Sequence, residues 1–270
     1  MKVYISVDIE GVCGVVNGEM TSPAGRGYEQ ARRQMTAEAN AAVLGARAAG
    51  AQLIVVNDSH GSMTNLIPAE LDEAAELIQG SPKPLSMMEG VQEGFDAVLF
   101  VGYHARMLQH GILSHTISGG TVSTVRLNGV PMGETAINAA IAGYYKAPVV
   151  FVAGDKAVTE EARALLGDIE TVATKTAITR YSARSLHPAR ACREIQAGVQ
   201  RALQNLADRK PFLPEGPYTF ELEFIQAGQA DAASLMPGTV RVNGNTVSFT
   251  SDDYVEAFRG LRSMISLARP

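Results

Sequence analysis

Four short, almost continuously apolar runs constrain this chain more than any other feature. They are Val3-Tyr4-Ile5-Ser6-Val7, Leu53-Ile54-Val55-Val56, Ala97-Val98-Leu99-Phe100-Val101 and Val149-Val150-Phe151-Val152. Each has the length and the β-branched and aromatic content of a buried strand. A strand that is apolar on both faces must be covered on both, as in parallel sheets packed between helices. The stretch from Tyr28 to Ala49 has apolar residues at helical spacing, and Gly50 marks its end. Residues 69–79 also read as a helix. The expected fold class is therefore α/β, with a three-layer α/β/α core around a mainly parallel sheet.

Residues 122–132 alternate apolar and polar around Asn128-Gly129, a hairpin signal. A helix from about Glu134 to Tyr145 follows. Beyond residue 156 the texture changes. Helical stretches near 158–166 and 188–208 flank a short strand around 169–174. Pro211, Pro214 and Pro217 then break the chain before strand-like Tyr218 to Phe224. A hairpin at Asn243-Gly244-Asn245 and a final helix from about Asp252 complete it. We expect a metal-binding α/β domain over 1–160 and a smaller C-terminal α/β lobe over 161–270.

Composition narrows the function. Apolar residues make up 46%, charged residues 19%, and the net charge is −5. With no Lys/Arg cluster, a nucleic-acid partner is not expected. No run of about 18 apolar residues predicts a membrane span. The chain opens on a strand without a basic leader, and its two cysteines, Cys13 and Cys192, lie far apart. Reduced thiols in a cytoplasmic protein are the expectation.

The chemistry gathers where the strands end. Asp8 and Glu10 follow the first strand two positions apart, so strand periodicity sends them to one face. Like charges there repel and call for a cation. His60 closes the polar run Asn57-Asp58-Ser59-His60 after the second strand, and His104 follows Gly102-Tyr103 after the third. In an open parallel sheet such residues converge at the carboxyl edge. Glu134 adds a carboxylate at a helix start. Taken singly, each also reads as a surface acid, a turn residue or a helix-dipole partner.

Together these stretches resemble the DppA-like D-aminopeptidase family of zinc-dependent peptidases. The similarity runs through Ser6-Val7-Asp8-Ile9-Glu10-Gly11, Val56-Asn57-Asp58-Ser59-His60, Gly102-Tyr103-His104-Ala105-Arg106, Ser114-His115, Gly133-Glu134 and Ser234-Leu235-Met236-Pro237-Gly238. The resemblance implies two Zn2+ per subunit held by Asp8, Glu10, His60, His104 and Glu134, with Asp8 bridging. It further implies His115 as the catalytic side chain, substrates that are short peptides with an N-terminal D-amino acid such as D-alanine, and a homodecamer. Metal-activated water, with His115 assisting by proton transfer, is the expected mechanism.

Three carboxylates against two divalent ions leave +1, which one hydroxide neutralises. Arg106 is an expected contact for a substrate carboxylate or else a surface arginine, and Asp58 a weaker one for the substrate amine. His110 and His187 carry no functional signal. The rival readings are another binuclear metallohydrolase, an amidase or phosphoesterase, and a non-catalytic metal-containing peptide-binding protein.

Overall fold

A computed structural model of the chain describes residues 1–269. The apolar runs form strands as expected. The first part of the chain comprises β1 (Lys2–Val7), α1 (Tyr28–Ala48), β2 (Leu53–Asp58), β3 (Ala75–Ile78), β4 (Ala97–Tyr103), β5 (Val122–Leu127), β6 (Val130–Pro131), α2 (Glu134–Tyr144) and β7 (Val149–Asp155). There follow α3 (Lys156–Leu166), β8 (Glu170–Thr179), β9 (Ser182–Ser185), α4 (Pro188–Gln204), β10 (Tyr218–Phe224), α5 (Ala227–Ala233), β11 (Thr239–Arg241), β12 (Thr246–Ser251) and α6 (Tyr254–Leu267).

Seven strands form a sheet in the order β3-β2-β1-β4-β7-β8-β9, parallel throughout except for the edge strand β9. Side-chain alternation divides its two faces. Val3, Ile5 and Val7 pack with Met35 and Ala39 of α1 and Val199 of α4, whereas Tyr4 belongs to the opposite core with Ile137 and Ile141 of α2. That second core also takes Phe220, Leu222 and Phe224 from β10 and Phe258 and Leu261 from α6. β10 lies at the centre of a five-stranded antiparallel sheet, β11-β12-β10-β5-β6, which contains both expected hairpins.

One element differs from expectation. Residues 69–79 form no α-helix: a single 3-10 turn at Pro68–Glu70 precedes β3. The open edge of β2 accepts this segment, and its apolar residues alternate, Ala75 and Leu77 toward one core and Ile78 toward the other. Strand pairing thus overrides the helical spacing of the same residues. Both sheets cross residue 160, since β8 and β9 join the first and β5 and β6 the second. Among the described residues no helix is long and apolar enough to cross a membrane.

Strand order reverses between β1 and β4. The chain first moves outward through β2 and β3, then returns to β4 and continues through β7. Parallel sheets open a crevice beyond the strand ends at such a point.

Behind the loop after β1, Glu38 of α1 is fully buried. Its Oε1 accepts hydrogen bonds from the Cys13 backbone N–H (2.9 Å) and from Gln34 Nε2 (3.1 Å). Burial pushes its carboxyl up from 4.5 to about 7. Such a group binds its proton better when folded, so its contribution to stability is full below 4.5 and is lost as pH rises through about 7. Glu38→Gln is therefore expected to flatten the loss of stability between about pH 5 and 8 and to be more stable at pH 8 by on the order of 2 kcal/mol. Unfolding measured across pH at fixed protein concentration checks this; a parallel pH profile in parent and variant would contradict it.

Candidate metal centre

β1 ends at Val7, so Asp8 and Glu10 sit in the turn beyond it rather than on the strand face that period-two counting assigned. Close backbone contact aligns them instead. The Asp8 N–H donates to Val101 O (2.8 Å) and the Gly11 N–H to Gly102 O (2.7 Å). A Cβ on Gly11 would lie 1.8 Å from Tyr103 O, and one on Gly102, at φ +71°, would lie 2.0 Å from Asp8 O. The two glycines therefore let the turn after β1 press against the end of β4. Lys175 of β8, itself buried, secures the same turn: its Nζ donates to the carbonyls of Glu10 (2.5 Å), Val12 (2.7 Å) and Val15 (2.5 Å).

All five expected ligands meet in this crevice. His60 Nδ1 lies 3.3 Å from Asp8 Oδ1 and 2.9 Å from Glu10 Oε2. His104 Nε2 lies 3.4 Å from Asp8 Oδ2 and 3.5 Å from Glu134 Oε1. The two oxygens of Asp8 thus face different imidazoles. Donor atoms of Asp8, Glu10 and His104 lie within 4.8 Å of one another, as do those of His104, His115 and Glu134.

The outward ring nitrogens are fixed by backbone carbonyls. His60 Nε2–H donates to Thr21 O (2.9 Å), His104 Nδ1–H to Ala105 O (3.0 Å) and His115 Nδ1–H to Leu113 O (2.9 Å). Each neutral ring consequently turns a lone pair toward the carboxylates, the usual way a ligating histidine is oriented. Asp8 Oδ2, Glu10 Oε2 and His104 Nε2 are buried without hydrogen-bond partners among the described residues. A set of inward acceptors with no donor among them fits a divalent cation, and mixed imidazole and carboxylate ligands suit zinc among others.

Protons compete for the same position. Burial and the neighbouring Glu10 raise Asp8 to about 7. Burial alone would lower His60 and His104, but the facing carboxylates outweigh it and raise both. His115 is the exception: burial and the adjacent His104 lower it. Its ring stacks on His104 at 4.2 Å and 8°, with Nε2 3.9 Å from Glu134 Oε1. The loop that carries it has non-glycine residues at positive φ on either side, Leu113 (50°) and Ile117 (63°). It is tied down by Ile112 N–H to Asp155 Oδ2 (3.0 Å), Leu113 N–H to Arg180 O (3.0 Å) and Ile117 N–H to Glu134 Oε1 (2.6 Å).

Two sequence expectations move. The Asp58 carboxylate is buried and accepts from the N–H groups of Asn65 (2.5 Å) and Leu66 (2.7 Å) and from Asn65 Nδ2 (2.8 Å), so it shapes the His60 loop rather than facing a substrate. Arg106 donates to its neighbour's carbonyl, Met107 O (3.3 Å), and lies outside the cavity wall. Arg262 of α6 and Arg269 beyond it line that cavity instead, beside Asp8, Glu10, His115 and Glu134. No local signal marks them, because a basic residue on an amphipathic helix ordinarily faces solvent.

An α/β sheet with a buried carboxylate and imidazole cluster at its switch point defines a metallohydrolase-type protein. The chain belongs to the D-aminopeptidase family: the model of that family, Peptidase_M55, matches residues 1–263. A D-aminopeptidase of Bacillus subtilis (strain 168) is 40% identical over 269 residues, 99% of this chain and 98% of its own length. Among solved structures, the Zn-dependent D-aminopeptidase DppA from Bacillus subtilis, described as a self-compartmentalizing protease, superposes with a TM-score of 0.96. The identity there is 40%, over 99% of this chain and 98% of the other.

Lys175 offers a test of how the turn is held. Lys175→Met leaves every expected ligand in place, so zinc affinity is expected to fall about 10- to 100-fold through loss of orientation alone. Competition against a chromophoric chelator measures it, and unchanged affinity would separate the lysine from the site.

Proposed function

We propose that this chain is a two-zinc aminopeptidase that hydrolyses short peptides with an N-terminal D-amino acid such as D-alanine. The observation that carries the reading is the Asp8 carboxylate, 2% exposed, with each oxygen turned to a different histidine. This is the arrangement a bridging ligand needs, and it occurs in a chain that matches a D-aminopeptidase family over nearly its whole length. Asp8, Glu10, His60, His104 and Glu134 would hold the ions. Bound divalent ions supply Lewis-acid polarisation of the scissile carbonyl and an activated water near neutral pH.

The protein's own contribution is proton transfer and positioning. His115 is held neutral by burial, and its Nδ1–H is committed to Leu113 O, so Nε2 is the atom that accepts a proton in the cavity. It then returns that proton to the departing amine. Glu134, fixed by the Ile117 N–H, faces both His104 and His115, whose Nε2 atoms are turned inward by the Nδ1–H bonds to Ala105 O and Leu113 O. Handedness at the substrate follows from family membership alone. Kinship to a protein described as a self-compartmentalizing protease supports an oligomer that encloses its sites, a homodecamer in this reading, and two free cysteines far apart in sequence support a cytoplasmic location.

Elemental analysis with a panel of D- and L-dipeptides tests the reading. The parent is expected to carry two zinc per chain, to cleave N-terminal D-alanyl dipeptides in preference to L, and to lose activity with chelator. Since Arg262 and Arg269 bring basic groups of the kind a phosphate ester would use, a phosphate ester belongs in the panel; its preferential turnover would favour the phosphoesterase alternative.

Asp8→Ala is expected to lose metal and activity together. His115→Ala is expected to keep its metal while kcat falls about 10²- to 10⁴-fold. A metal-free His115→Ala would make His115 a ligand instead.

A further inference from the structure

We propose that Arg262, assisted by Arg269, binds the C-terminal carboxylate of the substrate peptide and thereby makes the site selective for very short peptides with a free C-terminus. The inference rests on the peptidase reading above. Both arginines line the cavity that also contains Asp8, Glu10, His60, His115 and Glu134. Arg262 is half-buried, and neither guanidinium forms a hydrogen bond or ion pair among the described residues. A guanidinium offers five N–H donors in a fork that fits a carboxylate. Water still reaches the Arg262 donors, and with no protein acceptor they remain free to take an anion.

Charge points the same way. Three carboxylates, two divalent ions and one hydroxide would make the centre neutral, and the two arginines would bring the cavity to +2. A dipeptide bound through its scissile carbonyl presents one anionic group on the leaving side, its terminal carboxylate. The arginines are the groups positioned to meet it.

The cavity itself is small, with a volume of about 110 Å3. A second cavity of about 400 Å3 shares Met63, Ser86 and Arg262 with the first, which places Arg262 in the wall common to both. Lys83, in the second cavity, already donates to Asn57 Oδ1 (2.5 Å) and Asp58 O (2.7 Å), so it is a weaker anchor.

The experiment compares a D-alanyl dipeptide with its C-terminal amide on the zinc-loaded protein. The parent is expected to show a KM for the acid about 10- to 100-fold below that for the amide. Arg262→Gln should raise the acid's KM by a similar factor and the amide's KM far less, so that the preference for acid over amide is largely lost. Arg262→Lys should recover part of the preference, and Arg269→Gln, on an exposed side chain, should give a smaller loss of the same kind. Equal KM values for acid and amide in the parent, or a loss in Arg262→Gln shared equally by both, would overturn the assignment whether or not every variant folds. Cleavage of both by the parent without preference removes the arginine anchor and leaves the peptidase reading standing. Cleavage of neither removes the peptidase reading itself.

Discussion

Asp8, Glu10 and Glu134 are each at most 5% exposed, and ionised groups this close in a low dielectric repel strongly unless a cation or shared protons lie among them. Much of the surrounding structure can be understood as holding that repulsion in place. Backbone carbonyls fix the outer nitrogens of His60, His104 and His115, so three imidazoles lean inward as acceptors. A buried lysine takes up three carbonyls of the acidic turn, and the Ile117 N–H steadies Glu134. A fold that spent these interactions only on stability would have little reason to aim so many unsatisfied acceptors at one another.

The seven-stranded sheet supplies the place where this can happen. Its strand order reverses between β1 and β4, and the turns leaving those two strands carry Asp8, Glu10 and His104. Glu134 enters from the first turn of α2, and His115 from a loop whose Leu113 and Ile117 occupy strained backbone conformations. Strain of this kind persists only where surrounding contacts enforce it, and here those contacts come from β7 and the β8–β9 turn around Leu113 and from Glu134 of α2 at Ile117.

Most of the sheet was legible because buried parallel strands leave continuous apolar runs that few other structures imitate. Four of the five expected ligand positions, Asp8, Glu10, His60 and His104, could be read from polar residues that follow such runs and have one edge on which to gather, whereas Glu134, at the start of α2, joined the expected set only through the family resemblance. What escaped was non-local. Residues 69–79 carry apolar side chains that satisfy either a helix or an alternating strand, and only the vacant edge of β2 decides between them. The alignment of Asp8 with Glu10 depends on two glycines that allow backbone from β4 to approach, which strand periodicity does not encode. Arg262 reaches the cavity because α6 docks beside α2, with Tyr254 Oη donating to Ile137 O (2.9 Å), a relation invisible in the α6 sequence.

Lys175 stands well after the last expected ligand, Glu134, yet it holds the turn that presents the first two. During synthesis all five expected ligands leave the ribosome before the lysine that fastens the turn carrying two of them. That turn therefore gains its last three backbone anchors only once β8 has added to the edge of β7, so the crevice is shaped by a late-made strand as much as by the early ones that line it.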